Sequence, residues 1–138
     1  MTIQKNESQK NDISVSICPT GEAFALPEEN AYPAEYEKLK TLVAEQRQMG
    51  REIVVVMGVG FVGAVMAGVV ADSTMEGTDE PLYFVIGMQR PSIRSYWKIP
   101  YLNRGVAPVE AEDPEVAPLI ERCVLQRKNL MATFTYDA

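Results

Sequence analysis

The chain of 138 residues is long enough for one domain with a modest core, and its 46% apolar content is that of an ordinary globular protein. With 13 basic against 19 acidic residues the formal net charge is −6, which argues against a basic face for nucleic acid. There is no histidine, so the commonest general base, proton shuttle and zinc ligand is missing. The two cysteines, Cys18 and Cys123, lack the CxxC spacing of a metal site or a disulfide framework and suit a reducing cytosol.

Residues 1–32 are polar, with Pro19, Gly21 and Pro27 scattered through them, and read as a mobile N-terminal arm tied down locally by "ISVSI". They lack the apolar core of a signal peptide, so a cytoplasmic protein is expected. Residues 33–50 form a helical extension: Tyr36, Leu39, Leu42 and Val43 follow the spacing of one apolar stripe, and Gly50 stops the helix. The remainder, 51–138, reads as a partial dinucleotide-binding unit. "EIVVVM" is a β-branched run without alternation, as in a strand buried on both faces, and "FVGAVMAGVVADS" continues as a helix packed on it. "LYFVIGM" is a second buried strand, and "RPSIRSYWKIPYLNRG" a helix-like pattern that Pro100 limits. In "DPEVAPLIERCVLQRKN" Asp113 is placed to cap a helix and Pro114 to occupy its first position. Val116, Leu119, Ile120, Cys123 and Val124 make its apolar face. "LMATFT" is the third strand. The fold class is therefore α/β, a partial Rossmann-like parallel sheet of about three strands with helices, preceded by an arm and a helix.

The uncharged run 53–71 also has the length of a membrane-spanning helix, and Ala64 with Gly68 is a small-xxx-small pair. Against a single-pass membrane protein stand the glycines crowded at its middle, the absence of an aromatic belt or basic cluster at either end, and the clustering of β-branched residues before the glycines, with Ala and Met after them. A strand turning into a helix around a phosphate explains each glycine of the G-x-G-x-x-G pattern. Gly58 allows the tight turn, Gly60 lets a pyrophosphate approach the backbone, and Gly63 lets the helix pack closely on the strand. The amides of Val59, Phe61 and Val62 belong to the same loop and helix start, whose positive end faces the phosphates.

The acidic residue that usually ends the second strand and holds the adenosine ribose is absent. Gln89 fills its place, followed by Arg90 and, five residues beyond Gln89, Arg94. Glutamine can bond a hydroxyl, and without the carboxylate a 2′-phosphate is not repelled, so NAD is expected with NADP left open. Gln89 and Arg90 as plain solvated loop residues is the competing reading.

The order of these features resembles the N-terminal domain of the nucleotide-sugar dehydrogenases, the UDP-glucose, GDP-mannose and UDP-N-acetylmannosamine 6-dehydrogenase family. The resemblance rests on "VVVMGVGFVGAVMA", on "FVIGM", on "LNRGVAPVEAEDPEVAPLI" and on "LMATFTYDA", and covers about residues 51–138. It implies oxidation of a sugar C6 alcohol to the uronate with two NAD equivalents, the pyrophosphate on the 58–63 loop, Gln89 on the ribose and Arg94 on the adenosine side. The sequence departs from the family pattern at Gln89, by about one extra helical turn before Asn103, and in the offset of Glu112. The family's nucleophilic cysteine and catalytic lysine lie in a later domain, so no catalytic residue and no metal ligand is assigned here, and Cys123 reads as core. The partners expected are the dinucleotide, a nucleotide sugar only where the rest of such an enzyme is present, and a second copy through an unpaired first strand; neither nucleic acid nor membrane is expected. A stand-alone dinucleotide-binding regulatory module is the alternative.

Overall fold

The computed structural model describes residues 14–110 and 113–135. In chain order it contains strands β1 (Val15–Ile17) and β2 (Ala23–Ala25), helix α1 (Ala31–Gln48), strand β3 (Glu52–Met57), helix α2 (Phe61–Ala71) and strand β4 (Tyr83–Met88). Helix α3 (Lys98–Asn103), helix α4 (Val116–Glu121), a π-helical turn (Arg122–Gln126) and strand β5 (Leu130–Thr133) follow. β3, β4 and β5 form a parallel sheet in that order, with Val54 opposite Val85 and Val85 opposite Leu130. It is a Rossmann-like half-sheet. The run 53–71 thus divides between a strand and an 11-residue helix, and no helix among the described residues is long and apolar enough to cross a membrane.

Strand periodicity sends alternate residues to opposite faces. Phe84, Ile86 and Met88 of β4 meet Leu39 of α1 on one face, joined by Leu42, Val43, Ile53 and Met131. Val85, Leu130 and Ala132 turn to the other face, against Ala67 and Ala71 of α2, Leu102 of α3, and Ile120 and Cys123 from α4 and its π turn. Burying a side chain such as Ile86 or Leu102 contributes about 2 kcal/mol. Asp72, at the end of α2, is gripped by the Arg122 guanidinium through two hydrogen bonds of 2.9 and 3.0 Å and lies 3.1 Å from Arg127. Buried Asn129 donates to the Ala71 and Tyr83 carbonyls at 2.7 and 3.0 Å, tying helix α2 to the start of β4.

Several expectations are corrected. β4 is buried on both faces as a parallel strand should be, but β3 is not: Val55 and Met57 are 41% and 64% exposed, because β3 is an edge strand. Of the pattern over 90–105 only Lys98–Asn103 is helical, preceded by turns. Pro114 does not open α4, which starts at Val116; Asp113 instead accepts the Glu115 N–H at 2.9 Å in the turn before it. The third strand ends at Thr133.

Within the polar segment read as an arm, β1 and β2 form an antiparallel hairpin, Val15 opposite Ala25, turning through Gly21 at φ +94°. Its anchors are distant in sequence. Buried Ser16 accepts the Trp97 N–H at 3.1 Å, Phe24 meets Tyr101 edge-on at 6.0 Å, and Arg104 holds the Glu22 carboxylate with bonds of 3.0 and 2.8 Å. The hairpin therefore packs on α3 and not along β3. Residues 1–13, Glu112 and the last three positions of "LMATFTYDA" lie outside the described residues.

Candidate functional site

The site is built at the carboxyl ends of β3 and β4. Gly58 continues the strand ladder, its N–H on the Met88 carbonyl at 2.6 Å, and then turns with φ +89°, a conformation in the left-handed region that favours glycine. Val59 is fully buried, and its side chain fits only because Gly87 lies opposite: a Cβ at Gly87 would stand 2.6 Å from Val59 Cγ1. That interlock fixes the loop, and nothing in the sequence pattern announced Gly87. At Gly60 an added Cβ would meet nothing within 4 Å, so its α-carbon faces open space. Gly63 is the opposite case. A Cβ there would lie 2.1 Å from the Gly58 carbonyl oxygen, so α2 can seat on the loop only with glycine at this position.

Helix α2 has no side-chain cap. Its first intrahelical bond runs from the Ala64 N–H to the Gly60 carbonyl at 2.8 Å, so the amides of Phe61, Val62 and Gly63 have no acceptor within the helix. These donors and the positive end of the helix dipole suit an anion. Phe61 and Val62 expose their side chains, and Phe61 lines a cavity of about 500 Å³ with Trp97, Lys98 and Tyr101 of the α3 region, Thr20 of the hairpin and Glu110. The glycine loop, an uncapped helix start and an aromatic-walled space thus meet at the carboxyl end of the sheet. A larger hollow near Asp72 and Arg122 and a smaller one near Lys38 and Met131 have no loop residue in their lining.

Gln89 closes the second strand, its N–H on the Thr133 carbonyl at 3.0 Å. Its side chain turns inward. Oε1 accepts the Val59 N–H at 3.0 Å, while Nε2 donates to the Arg90 carbonyl and to Ser95 Oγ, both at 3.3 Å. The loop N–H needs an acceptor, which fixes the orientation of the amide. Arg90 and Arg94 are exposed. All the residues singled out from the sequence therefore lie on the loop and helix start or on the segment following β4.

The two cysteines differ. Cys123 is fully buried, and burial, with the Asp72 charge adding to it, pushes its thiol up to about 11, which suits core and not nucleophile. For Cys18 burial acts in the same direction, but hydrogen bonds from Thr20 and Tyr101, each 3.0 Å, and from backbone outweigh it and bring the thiol down to about 7. Among the described residues no group of side chains is arranged to hold a metal.

A parallel half-sheet of this form is Rossmann-like, the α/β class whose ligands bind outside the carboxyl ends of the strands. Among solved structures the chain is similar to the NDP-N-acetyl-D-galactosaminuronic acid dehydrogenase of Methanosarcina mazei Go1, at 33% identity and a TM-score of 0.52 over 70% of this chain. It spans 18% of the length of that protein. The resemblance read from the sequence is borne out by this match: over 70% of its length the chain is related to a nucleotide-sugar dehydrogenase. No protein-family model and no curated protein sequence matches it.

Proposed function

We propose that the chain is the dinucleotide-binding part of a nucleotide-sugar dehydrogenase system and is inactive by itself. The observation that carries this is the contrast between Gly60, which faces open space, and Gly63, which is clamped against the Gly58 carbonyl, at the start of an uncapped helix. Gly58 turns the chain, Val59 and Gly87 lock the loop, and the amides of Phe61, Val62 and Gly63 would hold the pyrophosphate of a nicotinamide dinucleotide. When bound, that group supplies the hydride acceptor for oxidising an alcohol. The residues of this chain bind and orient it, and neither cysteine is assigned a step on the sugar: Cys123 is sealed in the core with a raised pKa, and Cys18 is buried where the hairpin meets α3. The resemblance implies NAD, and the residues beyond β4 decide between it and its 2′-phosphorylated form. The nucleotide-sugar substrate would be met only with the remaining parts of such an enzyme. Two free cysteines fit a cytosolic setting.

Calorimetric titration with NAD and NADP tests the reading. Gly60→Val puts a branched side chain into the space in front of the helix and is expected to abolish binding while leaving the fold intact, because nothing lies within 4 Å of that position. Equal affinity in the variant and the parent would remove the loop from the site.

A further inference from the structure

We propose that the end of this site beyond β4 takes an adenosine ribose carrying a 2′-phosphate, so that the chain prefers NADP to NAD. This rests on the dinucleotide reading above and goes beyond it. A site that selects the unphosphorylated ribose does so with a carboxylate, which accepts hydrogen bonds from the ribose hydroxyls and repels a phosphate. Gln89 offers neither. It is neutral, and its one carbonyl oxygen is spent on the Val59 N–H, with its amide nitrogen turned to Ser95 and the Arg90 carbonyl. No acceptor comparable to the usual carboxylate is presented to a ribose 2′-hydroxyl.

The following segment has the chemistry for the phosphate. Residues 89–98 contain Arg90, Arg94 and Lys98 and no acidic residue. Arg90 and Arg94 are exposed, and none of the three takes part in the ion pairs of the described residues. The turn that carries them is braced by its own hydroxyls: Ser95 Oγ donates to the Arg90 carbonyl at 3.2 Å, and Ser92 Oγ lies 2.6 Å from Ser95 Oγ and accepts the Ser95 N–H at 3.2 Å. Exposed guanidinium groups that no carboxylate pairs with are a usual setting for a dianionic phosphate. The one carboxylate lining the neighbouring cavity, Glu110, comes from the 107–110 segment and not from this turn. Gln89 has a second part here as a positioning residue, since it links the glycine loop to the turn that carries the serines.

The test titrates the whole chain with NADP, NAD, adenosine 2′,5′-bisphosphate, ADP and inorganic phosphate, with circular dichroism of each variant as a check of folding. NADP is expected to bind at least about tenfold more tightly than NAD, and the bisphosphate more tightly than ADP, because each exchanges a hydroxyl for a charge-paired phosphate. The double variant Arg90→Ala/Arg94→Ala should lose the difference between the two dinucleotides, and Gln89→Asp should reverse it. NAD bound as tightly as NADP would overturn the proposal and leave the dinucleotide reading standing. Competition by inorganic phosphate as effective as by the bisphosphate would also overturn it, showing a general response to anions. A folded chain that binds neither dinucleotide would overturn both.

Discussion

The sheet has two edges, and the chain treats them differently. Beyond β5, Asn103 of α3 turns its carboxamide onto the strand, donating to the Ala132 carbonyl at 3.0 Å and accepting the Ala132 N–H at 2.8 Å, as a neighbouring strand would. Tyr101 and Arg104 of the same region carry the hairpin, which adds a further layer. Beyond β3 nothing comparable is present among the described residues. Val55 and Met57 stand exposed, and on the adjoining helix Val62, Met66 and Val69 follow helical spacing with more than half of their surface open. In the doubly wound fold the first strand is interior, with a fourth strand on its far side. β3 has the composition of an interior strand and the position of an edge, whereas β5 has an edge position that its own chain has covered.

The largest expected effect comes from unseating the helix that packs on the Val54 and Val56 face of β3. Gly63→Ala places a methyl group 2.1 Å from the Gly58 oxygen, and relief requires α2 to move off the strand. A loss of about 3 kcal/mol is expected from such overpacking. Hydrogen exchange should show β3 and α2 losing protection while β4 and β5 retain theirs. A variant with parent-like denaturant midpoint would mean the helix does not seat where the geometry has it.

On the other side the corresponding variant is Asn103→Ala. It strips both partners from the backbone of Ala132, a buried residue, and should cost about 2 kcal/mol, since each unmet buried group loses its full desolvation compensation. It also turns the covered edge into a second open one. Denaturant titration checks the first consequence and concentration-dependent sedimentation the second. If Asn103→Ala is as stable as the parent, the carboxamide is not what closes this edge.

How much of this was legible in the sequence follows from the range of the interactions. β3 and the glycine loop are local: the β-branched run, the turn at Gly58 and the need for glycine at 63 are all fixed within a dozen residues, and the structure has them where the pattern puts them. The exposure of β3 is not local, because the same composition serves an interior strand, and only the sheet order shows that no strand among the described residues lies beyond it. The hairpin has strands of three residues, too short to signal themselves, and it is held by Trp97, Tyr101 and Arg104 far along the chain. Gln89 stands just past the strand end, where the sequence has it, but the direction of its side chain is set by its bond to the Val59 N–H, which no spacing rule reveals. Gly87 likewise matters only because Val59 lies against it.

The open edge makes a prediction of smaller size in stability but distinct in kind. Exposed strand edges pair with other chains, and the net charge of −6 cannot satisfy their backbone groups. The parent chain is therefore expected to self-associate with rising concentration. Val55→Lys, at an exposed edge position, should weaken association while changing stability by no more than about 0.5 kcal/mol. Sedimentation at several concentrations decides it. A parent that stays monomeric throughout would show that this edge is tolerated unpaired.

The smallest effect belongs to the layer over the covered edge and depends on pH. Cys18 sits where the hairpin meets α3, and the Thr20 and Tyr101 hydroxyls stabilise its thiolate enough to bring its pKa from 9.0 down to about 7 despite the burial that opposes this. Tyr101 shifts the opposite way, raised chiefly by its bond to Cys18, so the proton between them stays on the phenol. In the unfolded chain the thiol keeps its proton until about pH 9.0, so between the two values the unfolded state binds more protons than the folded one. Stability should therefore rise with pH across that window and be lost again as the pH falls through the folded value. Cys18→Ser, which retains a hydrogen-bonding group but does not titrate there, should flatten this part of the profile. Denaturant titrations of both chains at stepped pH make the comparison, and a parent profile as flat as the variant's would show that Cys18 remains a thiol and that the hairpin is held on α3 without its charge.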